Sequence, residues 1–264
     1  MKLSERLDRI AEEIEKGETV ADIGTDHGYL PLFLYMTEKS PKVIFADISE
    51  DSLNKAKECC KELCPHEKFE FRRGDGLDTL NKGEVDAVTI AGMGGMLMTD
   101  ILEWDMEKTC SIKKFVFQPR NNPGYLRRWL LERDFRIVKE SIVREGDFLC
   151  EIITALSPES FTPDSLEEDF SNKRRKEGRS SRRNFDRDEC SLQMQYEFPL
   201  YLVQDPCDLT EEYLRMHLEK AKVIRKRIQA GCKQNLSQHR DYIYMTIQQE
   251  HIENLLQILE DNRG

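Results

Sequence analysis

The run Asp22-Ile23-Gly24-Thr25-Asp26-His27-Gly28-Tyr29 ends an apolar stretch, TVADIG over 19–24, and begins a helical one. A glycine-rich turn between a strand and a helix lets a ligand approach the backbone closely. A dinucleotide turn would aim backbone N–H groups at a pyrophosphate. Here Asp22 and Asp26 place two carboxylates where that pyrophosphate would lie. They repel phosphate and suit a cation carrying an amino group and a sulfonium, which points to S-adenosylmethionine rather than NAD or ATP. A second apolar run, KVIFADI over 42–48, ends at Asp47, nineteen residues after Gly28, with Ile48 beside it. An acid there is placed to accept from both hydroxyls of a ribose. A third run, KFEFRRGD over 68–75, ends in Gly74-Asp75-Gly76, where an acid can accept from the exocyclic amine of adenine. Any one of these aspartates also reads as a helix N-cap, Asp47 especially, since a helix begins near Ser49. Three acids at the carboxyl ends of three successive strands face one crevice, and together they favour a ligand.

Two further clusters follow. VDAVTIAG over 85–92 runs into Ala91-Gly92-Met93-Gly94-Gly95-Met96. That backbone can lie flat against a planar ring, or simply make a tight strand–helix turn; Gly92, Met93 and Gly94 are candidates for the catalytic centre. KFVFQP over 114–119 leads into Gln118-Pro119-Arg120-Asn121-Asn122-Pro123. The amides of Gln118 and Asn121 are suited to the donor–acceptor edge of a base. Arg120, Arg127 and Arg128 are candidates for phosphates. Tyr29 either packs against a base or anchors its own helix.

These residues need a scaffold. Five apolar runs alternate with amphipathic stretches over residues 1–156, which predicts an α/β, Rossmann-like fold with a mostly parallel sheet covered on both faces. After residue 134 the alternation stops. FRIVKESIVREG and DFLCEIITAL meet at a Glu-Gly-Asp turn, which predicts an antiparallel terminal hairpin. Residues 157–192 are charged, with Pro and Ser and few aliphatics, and read as a linker or mobile insertion. Residues 193–264 form the third part. Stretches 209–236 and 237–261 read as two helices with a break near Gln234–Gln238. Met245, Ile252 and Leu259, with Leu255 between, face Leu214, Leu218, Ala221 and Ile228 in a C-terminal helical hairpin.

The chain has 264 residues and a net charge of −10 from 40 basic and 50 acidic residues. That sum argues against a nucleic-acid partner, but its distribution does not. Segments 113–139, 171–187 and 215–240 each hold eight basic residues, against two, two and one acidic. They either build a positive face or solvate helices. The eight cysteines are scattered, with no paired Cys-x-x-Cys for zinc, so neither a disulfide framework nor a metal is expected and a cytoplasmic location is. Cys59, Cys60 and Cys64 beside His66 do not change this. No apolar run is long enough to span a membrane, and the opening MKLSERLDRIAEEIEKG is an amphipathic helix rather than a signal peptide. The oligomeric state is open, with a monomer as the working expectation.

DIGTDHGYLP, GDGL, AGMGGM and FQPRNN, in this order, resemble the bacterial tRNA adenine-22 N1-methyltransferases, as does LSERLDRIAEEI followed by Gly. The resemblance covers residues 1–156 and is looser through EFPLYL and the hairpin. AGMGG together with QP-x-N is its specific part. It implies a class I methyltransferase fold, S-adenosylmethionine as donor, tRNA as partner, and a C-terminal helical domain that helps hold tRNA. It implies donor contacts at Asp22, Gly24, Asp26, Gly28, Asp47, Ile48, Asp75, Gly76 and Gly92. Gly28 stands where such proteins often have a small non-glycine residue, and the stretch near 160–190 looks like an insertion. Adenine N1 already carries a lone pair, so the expected chemistry is in-line displacement governed by positioning. Asp26 would stabilise the cationic product, and Asn121 with the Gly92–Gly95 backbone would orient the ring. N1 lies on the pairing edge, so the base must be unstacked. A methyltransferase for another RNA or a small molecule is the alternative. A non-catalytic RNA-binding module is a second one, and Asp26 makes a dinucleotide oxidoreductase the poorest fit.

Overall fold

The computed structural model describes residues 1–160, 187–232, 236 and 239–262. The chain divides into two compact units, Met1–Phe161 and Thr162–Gly264.

The first unit carries seven strands: β1 Val20–Ile23, β2 Val43–Asp47, β3 Glu70–Arg73, β4 Ala87–Met93, β5 Lys114–Pro119, β6 Arg136–Glu145 and β7 Phe148–Leu156. Its helices are α1 Glu5–Glu12, α2 Tyr29–Met36, α3 Glu50–Leu63, α4 Gly95–Trp104, α5 Met106–Ser111 and α6 Pro123–Glu132. The strands lie in the order β3-β2-β1-β4-β5-β7-β6. The first five are parallel, and β7 pairs antiparallel with both β5 and β6. The expected terminal hairpin is thus present, with β7 inserted between β5 and β6.

All four residues of β1 and all six of β5 are buried, as befits strands covered on both faces. One apolar core holds Ile23, Val88, Ile90, Phe115 and Phe117 against Met98, Leu102, Leu126 and Leu130 of α4 and α6. The other holds Val20, Phe45 and Val116 against Ile10 of α1, Leu30, Leu32 and Leu34 of α2, and Leu53 and Ala56 of α3. The chain leaves β1 toward β2 and β3, then returns to place β4 on the other side of β1. At that reversal the adjacent strand ends are not bridged by a helix, which opens a crevice at the carboxyl ends of β1 and β4.

In the second unit α7 Arg187–Glu197, α8 Tyr201–Gln204, α9 Thr210–Gly231 and α10 Arg240–Asp261 are helical. Arg215, near the start of α9, lies 3.4 Å from Glu260 at the end of α10, so the two long helices run antiparallel. Leu214, Leu218 and Ala221 are buried with Ile252, Leu255 and Leu259, while Met245 and Ile228 are only half-buried. The hairpin is not bare. Met194, Phe198, Leu202 and Val203 are buried too, and His251 Nε2 donates to the Phe198 carbonyl at 2.8 Å. Of the stretch 157–192 read as a linker, Pro158–Ser160 is a 3-10 turn, 161–186 lies outside the described residues, and α7 begins at Arg187, inside the bounds assigned to the linker. No described helix is long and apolar enough to cross a membrane.

Candidate functional site

The turn after β1 is built around backbone that few residues tolerate. Gly24 has φ +80, and a Cβ there would come within 2.4 Å of Met93 Cε. Asp26 has φ 44, a left-handed conformation that Asp adopts more readily than most residues. Gly28 caps α2 with φ +70, and a Cβ on it would meet Phe45 at 2.8 Å and Ala56 at 2.9 Å. A side chain at this position would not fit without repacking. Asp47 ties the turn down: the Asp26 N–H donates to its Oδ2 at 3.3 Å and the Ser49 N–H to its Oδ1 at 2.8 Å. The cap of α3 is Ser49, whose hydroxyl accepts from the Ser52 N–H at 3.3 Å, so Asp47 is not a helix cap.

The turns after β4 and β5 clasp each other. The Arg120 N–H donates to the Met93 carbonyl at 2.7 Å, and the Gly95 N–H to the Asn121 carbonyl at 2.9 Å. A Cβ on Gly94 would lie 2.7 Å from Asn121 Oδ1, and one on Gly95 only 2.2 Å from the Asn122 carbonyl oxygen. The glycines of AGMGG therefore serve close approach to the next loop, and the tight-turn and flat-surface readings hold together. Gly92, at φ +77, is different: a Cβ there would meet no atom within 4 Å.

A cavity of about 650 Å³ lies at this crevice, lined by Asp22, Gly24, Thr25, Asp26, His27, Tyr29, Asp47, Gly92 and Met93 among others. Gly28, Ile48, Asp75, Gly76 and Asn121 are not on its wall. Gly28 acts beneath it; Ile48, Asp75 and Asn121 are exposed. Asp75 caps the 3-10 turn Gly76–Thr79 with no side-chain cap bond. Tyr29 is 44% exposed and stacked on His27, centroids 5.3 Å apart, so it does not anchor α2 in the core.

Three sequence expectations are corrected. Gln118 is 3% exposed, with Oε1 accepting from the Gly92 N–H and from Arg6 Nη1, each at 3.1 Å, and Nε2 donating to the Pro119 carbonyl. It shapes the loop rather than reading a base. Arg127 is 2% exposed and paired with Glu140 at 2.7 Å and with Glu151, so it does not reach a phosphate. The segment 113–139 is no positive face. Lys113, Lys114, Arg127, Arg128, Arg133 and Lys139 are each paired with a carboxylate, Arg128 with Glu132 at 2.9 Å. Buried strand and helix positions draw in cations only with partners. Arg120 remains exposed beside the clasp.

The sequence missed the roof. Lys2, Leu3, Ser4, Arg6 and Leu7 line the cavity, as does Glu145 from β6. The amphipathic pattern gave α1 a buried face, here Ile10 and Ala11, but nothing in it said which crevice its first turn would cover.

Asp22 forms the floor. It is 5% exposed, accepts from the Thr89 hydroxyl at 2.5 Å, and burial pushes its carboxyl above the usual carboxylate range. Hydrogen bonds from Thr89 and Thr25 and the charge of Arg6 oppose that shift. A buried acid of this kind favours an incoming cation. With Asp26 and Asp47 on the wall and a bare Gly92 backbone, the cavity fits an organic cation with hydroxyls and disfavours a pyrophosphate. Among the described residues no cluster of three metal-ligating side chains occurs.

Residues 3–153 match the profile of a family described as a methyltransferase domain. Over 155 residues, 59% of this chain, the sequence is 36% identical to the tRNA (adenine(22)-N(1))-methyltransferase of Bacillus subtilis, and the alignment spans 65% of that protein. The crystal structure of the B. subtilis m1A22 tRNA methyltransferase superposes with a TM-score of 0.75 at 25% identity, covering 97% of this chain and 99% of that one. A Streptococcus agalactiae protein of the NADB-Rossmann superfamily gives 0.75 at 24% identity, covering 97% and 98%, a likeness of fold. This chain belongs to the methyltransferase-domain family, and it spans just under two thirds of the length of the Bacillus subtilis protein it matches.

Proposed function

We propose that this protein transfers a methyl group from S-adenosylmethionine to N1 of adenine 22 in the D-arm of tRNA. The observation that carries the reading is one crevice in which a buried Asp22, the Asp26–Asp47 turn and the clasped Gly92–Gly95 loop converge. The names of the B. subtilis relatives supply the acceptor base. When bound, S-adenosylmethionine supplies an electrophilic methyl on a sulfonium. Asp22 and Asp26 hold its cationic end; Gly24 and Gly28 let the turn close on it; Asp47 with Ile48 takes the ribose, and Asp75 with Gly76 the adenine edge.

Adenine N1 needs no base to become a nucleophile, so the residues act by placement. Met93 and the Gly92–Gly95 backbone set the floor for the ring, held in register by the Asn121 and Met93 carbonyls. The Asn121 side chain orients the ring edge. Asp26, exposed at the cavity mouth, stabilises the positive charge that arrives on the product ring. The stacked Tyr29 and His27 offer a platform for the unstacked base, and Arg120 lies where a flanking phosphate would pass. In α9, Lys220, Lys226 and Arg227 are exposed and, among the described residues, have no carboxylate partner. These residues of α9 offer positive charge to the tRNA backbone.

The test is incubation with labelled S-adenosylmethionine and unmodified tRNA, followed by primer extension, which stops at an N1-methylated adenine. A single stop at adenine 22 is expected. Label at another base, or only in small molecules, overturns the acceptor. No binding of donor at high micromolar concentration overturns the enzyme and favours an RNA-binding module.

A further inference from the structure

Met96 and Leu97 are large apolar side chains that the core does not take up. They are 52% and 50% exposed, whereas Met98, next in the chain, is fully buried. Neither belongs to the two apolar cores of the first unit. Both sit in the first turn of α4, directly after the Gly92–Gly95 loop. The clasp sets that turn beside the start of α6, because the Gly95 N–H donates to the Asn121 carbonyl at 2.9 Å. Tyr125, in the first turn of α6, is exposed as well. Large apolar groups gathered at a surface mark a place where something docks.

The charge around this rim suits a polyanion. Neither first turn holds an acid, and neither helix has a side-chain cap at its N-terminus. Two helix dipoles therefore present their positive ends, with the exposed Arg120 beside them. An apolar edge bordered by positive charge fits an RNA stack between its phosphates. Methylation at N1 requires the adenine to leave that stack, since N1 lies on the pairing edge. The space it leaves closes again unless a side chain fills it. Leu and Met are among the residues that proteins insert between bases to unstack them.

We propose that Met96 and Leu97 form a wedge that enters the tRNA stack at the place adenine 22 vacates and keeps the base out. The clasp fixes this wedge relative to the loop that receives the ring, and the Thr99 hydroxyl, donating to the Met96 carbonyl at 2.7 Å, ties its turn. The proposal rests on the reading of the protein as a methyltransferase for adenine 22, and it deepens that reading by naming the residues that expose the base.

The experiment is single-turnover methylation of full-length tRNA assembled from two synthetic halves. One tRNA is unmodified; in the other, pyrene replaces the base opposite adenine 22, which fills the stack and pushes the adenine out. The double variant Met96→Ala/Leu97→Ala should methylate the first tRNA about 10- to 100-fold more slowly than wild type. On the pyrene tRNA it should come within about threefold of wild type. Its Tm and donor affinity should stay those of wild type, because both side chains lie outside the core and off the cavity wall. Met96→Leu should keep most of the rate on unmodified tRNA. Fluorescence of 2-aminopurine at position 22 reads the exposure directly: it should rise when wild type binds and stay low with the double variant. Equal fluorescence rises overturn the wedge, as does a wild-type rate on unmodified tRNA or an equal loss on both tRNAs. Wild type that methylates neither tRNA, or another base, overturns the adenine-22 reading itself, whereas the preceding results leave that reading standing.

Discussion

Replacing Gly95 by alanine tests whether the clasp between the β4 and β5 turns governs catalysis. The new methyl carbon would sit 2.2 Å from the Asn122 carbonyl oxygen and 3.2 Å from that of Asn121. Real Cβ atoms essentially never approach closer than 3.0 Å, so the loops must part by about 0.8 Å or more. The Asn122 carbonyl cannot swing away cheaply, because it accepts from the Tyr125 and Leu126 N–H groups at the start of α6. Separation instead stretches the Gly95 N–H to Asn121 bond of 2.9 Å and the Arg120 N–H to Met93 bond of 2.7 Å. Overpacking of this kind costs about 1–3 kcal/mol, or roughly 2–12 °C in Tm for a domain of this size. A displacement near 1 Å at the reacting ring costs on the order of 10²-fold in kcat. The turn after β1, proposed to hold the donor, is held separately by Asp47, so donor affinity should change by less than about threefold. The assay pairs kcat at saturating tRNA with calorimetric donor binding and a melting curve. Gly231→Ala, where a Cβ meets nothing within 4 Å, is the control. A Gly95→Ala protein with lowered Tm but wild-type kcat would refute the reasoning and leave the clasp purely structural.

Arg127→Ala should destabilise by about 3–5 kcal/mol in urea unfolding, because it strands the buried Glu140 and Glu151, while the salt dependence of tRNA binding stays the same. A lowered salt slope would return Arg127 to the RNA-binding surface. Asp22 binds its proton more tightly folded than unfolded, so its stabilising contribution is full below about pH 3.8 and is lost as pH rises through the raised folded value. Asp22→Asn should therefore gain in Tm over the donor-free wild type as pH rises from 4 to 7, while binding donor less well; a difference constant with pH would argue against the buried charge. Changing Lys226 and Arg227 together to Gln should weaken tRNA binding and reduce the slope of log affinity on log salt by about 1 for each phosphate no longer neutralised. An unchanged slope would place the tRNA elsewhere.

The sequence by itself determined the order of the elements and the identity of the strand-end residues. Val20–Ile23 and Lys114–Pro119 are mostly apolar, with aliphatic and aromatic residues at successive positions, and strands buried on both faces read that way. Gly24, Asp26, Gly28 and Asp47 were legible because turn chemistry is local: the first three sit where backbone geometry admits few residues, and Asp47 ends β2. The family resemblance rested on the same local runs. What sequence reading missed was what depends on distant partners. Gln118 and Arg127 carry the groups expected to touch a ligand, but burial against Arg6, Gly92, Glu140 and Glu151 commits them to the protein. The basic segment 113–139 looked like a surface for phosphates until its carboxylates, from as far away as Glu13 and Glu18, came into place. Arg6 lies 139 residues from Glu145 and 112 from Gln118, and no spacing rule spans that distance. Periodicity reports which face of an element is apolar; which partner meets the other face is set by the pairing of β4 with β1 and the return of β6 beside α1. The turn after β1 was therefore written in the sequence, and the roof over it was decided by the tertiary structure.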